Sequence, residues 1–255
     1  EYFFPVMGGI TIYKTINKHF NPLKISSEQP IIDKMGKEIT YENYNSEKNG
    51  EKVSFIFTDA GHILGSAVVN LAIKDGDNII HVCFTGDIGR PHDLIIKAPE
   101  KFRQADYIIC ESTYGNRLHD DAALAAEKLL QVVIETCVEK KGKLLIPAFS
   151  LGRTQEVVYT LDRLKTQGLL PPIKVFVDSP LSINATDIMR KYTDSFNEDI
   201  QKYMEIDEDP FGFKNLIYIQ DAEESKALNE LKEPCIIISA SGMMEAGRIK
   251  HHLHN

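Results

Sequence analysis

The stretch Ile79-Ile80-His81-Val82-Cys83-Phe84-Thr85-Gly86-Asp87-Ile88-Gly89-Arg90 decides how the rest of the chain is read. Ile80, Val82 and Phe84 recur every second residue, the period of a strand with one buried face. The apolar run stops at Thr85, and a carboxylate follows between two glycines. A rigid strand end can hold an acidic group still enough to bind a metal ion. The same Asp could instead close an Asx-turn on its own backbone.

The alternation repeats upstream at Val53, Phe55, Phe57 and at Ala67, Val69, Leu71, Ile73, with Asp75-Gly76 as the turn before the third run. Three such runs joined by short turns predict a β-meander. Between the first two lies Asp59-Ala60-Gly61-His62-Ile63-Leu64-Gly65-Ser66, which places His62 in a tight turn with its imidazole facing a cleft or solvent. Downstream, Tyr107–Cys110 reads as a short buried strand that runs into Glu111-Ser112-Thr113-Tyr114-Gly115. Three polar strand ends in succession favour one shared site over three unrelated turns. Nearer the start, Ile12, Ile16 and Phe20 have helical spacing and Asn21-Pro22 closes that helix. Residues 1–113 therefore read as a mainly antiparallel sheet fragment.

After Gly115 helices and strands alternate. The pattern predicts a helix over 122–139 closed by Lys140-Lys141-Gly142, then a strand at 144–146 and a helix over 153–165. A strand at 174–177 and a helical region around 184–204 come next. The strand 215–219, helix 223–231, strand 235–239 and helix 243–254 complete the series. Such βαβ alternation implies a parallel sheet flanked by helices, with ligands at the carboxyl ends of the strands. Two loops fall there, Ala148–Arg153 and Ser239–Gly242. Arg153, with the free amides of a helix start, could hold a phosphate, or could simply pair with Glu156. Ser239, Ser241 and Gly242 precede a predicted helix, where small residues admit either a phosphate or an ordinary N-cap. Met243-Met244 reads as core filler, and the histidines at 251, 252 and 254 lack a nearby carboxylate to complete a metal shell.

With 43% apolar and 26% charged residues the chain is an ordinary globular one. Cys83, Cys110, Cys137 and Cys235 are scattered; Cys110 and Cys235 lie in apolar runs and read as reduced core residues of a cytoplasmic protein. No apolar run is long enough for a membrane span. A net charge of −8 argues against coating nucleic acid by bulk electrostatics, but not against a local cleft.

In order and spacing, AGHILGSA, FTGDIGR and ESTYG resemble the second half of the metallo-β-lactamase domain of β-CASP nucleases. PAFSLGRTQE and SASGMMEAGR resemble the β-CASP domain of their RNA-processing branch. The resemblance covers the chain from about Lys52 onward. It implies an α/β fold: a partial metallo-β-lactamase αββα sandwich over 1–113, followed by a parallel-sheet β-CASP domain over 114–255. It also implies hydrolysis of single-stranded RNA at a two-zinc site, with His62 a metal ligand, Asp87 a catalytic, metal-bridging aspartate, and Glu111 a catalytic acidic residue. In that reading His62, Asp87 and Glu111 share a cleft facing the Arg153 and Ser241 loops. A DNA-processing relative and a non-catalytic RNA-binding scaffold are the alternatives.

The family's HxHxDH segment and its two later histidines are absent from these 255 residues. The chain therefore reads as a piece of a longer product, inactive on its own. Its apolar sheet face at Val53, Phe55, Phe57, Val69, Leu71 and Ile73 is expected to need a second copy or a partner chain for cover.

Overall fold

A computed structural model describes residues 54–116 and 124–255 in full. It adds the backbone of Val53 and of four short strands, β1 (Phe4–Val6), β2 (Gly9–Thr11), β3 (Ile31–Ile32) and β4 (Glu38–Ile39). The chain divides into two compact units, 1–117 and 118–255. The helix expected from Thr11 to Phe20 lies outside the described residues except for Thr11, which ends β2.

In the first unit β5 (Val53–Asp59), β6 (Ala67–Asp75) and β7 (Asn78–Phe84) form the expected meander, each antiparallel to the next. Gly76 sits at φ +62°, the left-handed turn geometry that a residue without Cβ takes without strain. The fourth strand, β8 (Tyr107–Ile109), differs from expectation: it pairs parallel with β7, and its three residues are exposed. Of the apolar face expected to need cover, Phe55, Phe57 and Val69 are buried, Leu71 and Ile73 are half-buried, and the side chain of Val53 lies outside the described residues. Tyr107, Ile108 and Ile109, expected to be buried, are more than half exposed. Cys110, expected in the core, is exposed next to them, while Cys83, Cys137 and Cys235 are buried free thiols. Alternation reports that a strand has a buried face; it does not report whether the strand lies at an edge.

The second unit is a four-stranded, all-parallel sheet. Its strands are β9 (Lys143–Pro147), β10 (Lys174–Asp178), β11 (Leu216–Ile219) and β12 (Cys235–Ser239), in the spatial order β11-β10-β12-β9. The two central strands carry unbroken apolar runs, Val175–Val177 and Cys235–Ile238, and are buried on both faces, as interior parallel strands must be. The connecting helices are α1 (Ala125–Val133, widening into a π-turn at Ile134–Glu139), α2 (Arg153–Thr166), α3 (Pro180–Met189), α4 (Glu198–Tyr203) and α5 (Ala222–Glu230). Ser179, Asn197 and Asp221 cap α3, α4 and α5 by accepting first-turn amides through their side chains. The last helix, α6, spans only Ile249–His254. Residues 240–248 instead form a closed loop, fastened by Ser241 N–H to Ala246 O (3.0 Å) and Ile249 N–H to Ala240 O (2.9 Å). Met243 and Met244 project from this loop into solvent, 66% and 47% exposed, and are not core filler. No helix among the described residues is long and apolar enough to cross a membrane.

One buried carboxylate in this unit has a measurable consequence. Asp162 of α2 is fully buried; its Oδ2 accepts from the Tyr203 hydroxyl at 2.8 Å, and its Oδ1 has no protein partner. Burial, against the lowering effect of the Tyr203 hydrogen bond and with repulsion from Asp207, pushes its pKa from 3.8 up to about 6. A folded-state pKa raised in this way means that protonation favours folding. The contribution is complete below pH 4 and is lost as pH rises through about 6. Asp162→Asn should flatten the stability profile between those values and stabilise the protein at pH 8 by about 1–3 kcal/mol. Denaturant melts at a series of pH values test this, and an unchanged slope would contradict it.

Candidate functional site

The first unit brings together the three strand ends singled out in the sequence. After β5, Asp59 accepts the Gly61 amide at 2.8 Å and turns the chain, with Gly61 at φ +59°. The turn is closed by Ala60 N–H to Ser66 O and Ser66 N–H to Ile63 O, which leaves the His62 ring 44% exposed. After β7, Thr85 is pinned by its amide to Ile109 O, and Asp87 emerges 74% exposed. His62 Nε2 and Asp87 Oδ2 lie 4.0 Å apart.

Two features set that distance. The Gly89 amide donates to Ala60 O at 2.8 Å, which ties the Asp87 loop to the His62 loop. The backbones approach so closely that a Cβ on Gly89 would stand 1.6 Å from Gly61 O and 2.6 Å from His62 N. Glu111 completes the arrangement from the end of β8, where its Oε1 accepts the Ile88 amide at 2.8 Å. That bond, with help from Thr113 and the nearby His62, holds the Glu111 carboxyl below its ordinary range. Glu111 thus acts here as an ionised brace on the backbone just after Asp87. His62 and Asp87 offer zinc one nitrogen and one carboxylate. Among the described residues no group of three or more His, Cys, Asp or Glu side chains is arranged to hold a metal ion. These residues alone do not fit a two-zinc centre.

In the second unit Pro147, Ser239, Asp178 and Ile219 form one row across the carboxyl edge of the sheet. Asp178, fully buried, is the hub of this edge. Its Oδ2 accepts from Ser225 Oγ (2.6 Å) and meets His252 Nε2 (2.7 Å), and its Oδ1 accepts from Arg248 Nη1 (2.7 Å). Burial alone would raise its pKa; the hydrogen bonds from His252, Ser225 and Arg248 outweigh that and leave the carboxyl below its ordinary value. Arg248 also reaches Gln220 O (2.9 Å), and His252 Nδ1 meets Asn229 Oδ1 (2.7 Å). The hub therefore binds the 240–248 loop, α5 and α6 to the ends of β10 and β11.

Of the four residues read as nucleic-acid contacts, two are already engaged within the protein. Ser239 is buried and its hydroxyl donates to Asp178 O at 2.9 Å, so it does not face a ligand. Arg153 is 57% exposed but is paired with Glu156. The expected free amides at the start of α2 are spent: Gly152 donates to Gln155 Oε1, Arg153 to Leu151 O, and Thr154 to Phe149 O. Ser241 and Gly242 are half-buried in the 240–248 loop. Sequence reading missed Asp178, Arg248 and His252. The signal was present in Asp178, an acid at the end of an apolar strand like Asp87 and Glu111. His252 was set aside because its carboxylate partner lies 74 residues away.

With this geometry in view, residues 154–255 match the Beta-Casp domain model, and the chain belongs to the β-CASP metallo-β-lactamase family. Among curated relatives it is 36% identical over 214 residues to an RNase J-like protein of Methanocaldococcus jannaschii, covering 83% of this chain and 48% of that one. It is 32% identical over 202 residues to Ribonuclease TTHA0252 of Thermus thermophilus (79% and 45% covered). To Endoribonuclease YSH1 of Kluyveromyces lactis it is 31% identical over 211 residues (80% and 26%). The chain thus spans about half or less of the length of these relatives.

Proposed function

We propose that this chain is part of a cytoplasmic enzyme that hydrolyses phosphodiester bonds in single-stranded RNA, with His62 and Asp87 at the reacting centre. The observation that carries the reading is the apposition of His62 and Asp87 at two strand ends, locked by the Gly89–Ala60 bond and braced by Glu111. It gains weight from relatives whose names are those of ribonucleases. A scaffold has no need to hold an exposed imidazole and an exposed carboxylate 4.0 Å apart, because neither contributes to the core.

The pair supplies two of the donors of a zinc centre, fewer than a catalytic zinc takes from a protein. The 255 residues alone are therefore proposed to bind zinc weakly and to cleave nothing. The experiment compares labelled single-stranded RNA with single-stranded DNA of the same sequence, using protein expressed from the native gene and the 255-residue chain in parallel. The expected result is zinc-dependent cleavage of RNA by the former only. Preferential cleavage of DNA would move the chain to the DNA-processing branch, and no cleavage of either would favour the scaffold.

A further inference from the structure

The loop after β9 presents a group that the proposed chemistry does not use. Phe149 is 52% exposed, although the backbone around it is clamped: Ala148 N–H binds Ser239 O at 3.0 Å, and Phe149 O accepts both the amide and the hydroxyl of Thr154. The ring is therefore held out by a fixed loop. One edge of it rests on Gly242, where a Cβ would come within 2.9–3.0 Å of Cδ2 and Cε2, so the glycine makes room for the aromatic. Met243, next in the chain, is 66% exposed in the 240–248 loop, and Leu181, in the first turn of α3 after the Ser179 that meets Ser150 at 3.0 Å, is 54% exposed. An apolar ring kept in water at the carboxyl edge of a parallel sheet stands where ligands of such sheets bind.

We propose that Phe149 is a base-stacking platform, its free face taking one nucleobase of a single strand of RNA. This inference rests on the reading of the chain as part of an RNA-processing protein. The amides that would have offered this loop a phosphate cradle are already spent, and Ser239 is buried. The aromatic face is what the loop still offers. The net charge of −8 points the same way, since an acidic chain gains little from phosphates at large and needs contacts that do not depend on counterion release. Stacking on an aromatic ring is such a contact and accepts any base. A stable protein partner would need on the order of 800 Å² on each side, more than three exposed side chains provide.

The chain contains no tryptophan, so Phe149→Trp places a single fluorescent reporter at the proposed platform. The 255-residue chain is titrated with single-stranded RNA of about ten nucleotides, a typical site size, in a chelator so that binding is read without metal. Binding of RNA should quench the emission of the introduced indole. Phe149→Ala should weaken RNA binding about 5- to 100-fold. Phe149→Tyr should retain it, and Phe149→Leu, apolar but without a π face, should lose it like alanine. The loss should persist at high salt. Alanine and leucine variants that bind as the wild type does, or an unquenched reporter in a protein that binds RNA, would overturn the inference. A blue shift of the indole emission that grows with protein concentration without RNA would overturn it too, by assigning the ring to a protein contact. A wild-type chain that binds no RNA would sink the RNA reading itself, and this inference with it.

Discussion

Asp178→Ala is expected to destabilise the second unit by about 3–5 kcal/mol, the cost of leaving a desolvated charge without its partner. The carboxylate is fully buried and receives three side chains from α5, α6 and the 240–248 loop. Its removal deprives the Arg248 guanidinium, only 23% exposed, of its carboxylate, leaving it the Ile219 and Gln220 carbonyls, and leaves His252 Nε2 without its partner. Asp178→Asn keeps the shape and one acceptor for Arg248, and should cost less. A paired change, Asp178→Ala with Arg248→Met, should recover part of the loss because it removes both charges. The pH dependence has a definite sign. A carboxyl held below its ordinary pKa contributes stability above that ordinary value and loses it as pH falls through the lowered one, so the alanine penalty should shrink in acid. Urea melts of the four proteins at pH 7 and in acid provide the measurement. An alanine variant within 1 kcal/mol or so of the wild type would show that the hub is not what fastens the edge.

Gly89→Ala should be the most damaging single methyl among the described glycines of the first unit. The added Cβ would overlap Gly61 O at 1.6 Å and His62 N at 2.6 Å, and both are backbone atoms that cannot rotate aside. The two loops must part, the Gly89–Ala60 hydrogen bond breaks, and His62 moves off Asp87. Overpacking of this kind costs about 1–3 kcal/mol where a core can adjust, and backbone against backbone leaves little to adjust. Gly76→Ala is the contrasting control. Unlike Gly89 it has positive φ, +62°, and nothing lies within 4 Å of its Cβ, so only the conformational cost of about 1–2 kcal/mol remains. Thermal melts rank the two, and the zinc affinity of the 255-residue chain reads out the His62–Asp87 distance. Gly89→Ala should lose zinc binding, and Gly76→Ala should keep it.

Much of the architecture could be read from periodicity. Two-residue alternation marked β5, β6 and β7, and helix–strand alternation after Gly115 marked the parallel sheet. His62, Asp87 and Glu111 could be found because each is local, a polar group where an apolar strand stops. The Asp178 hub was not legible in that way: its partners lie 47, 70 and 74 residues along the chain, and only folding brings them together. The helix expected from Met243 failed for a related reason. Met243–Ala246 has helical propensity, but Gly247 at φ +77° and the bonds that close the 240–248 loop override it. Gly247 was the warning, since a Cβ there would meet Ala240 O at 2.4 Å.

The proposed role of His62 and Asp87 as part of a reacting centre for RNA is tested most directly by comparing cleavage of labelled single-stranded RNA, in protein expressed from the native gene, before and after His62→Ala and Asp87→Ala. Each variant should fold as the wild type does, because neither side chain belongs to the core: the His62 side chain is 44% exposed and that of Asp87 74%. Each should lose zinc-dependent cleavage by about 100-fold or more, as removal of a group essential to the chemical step does. Undiminished cleavage by both variants would contradict the account.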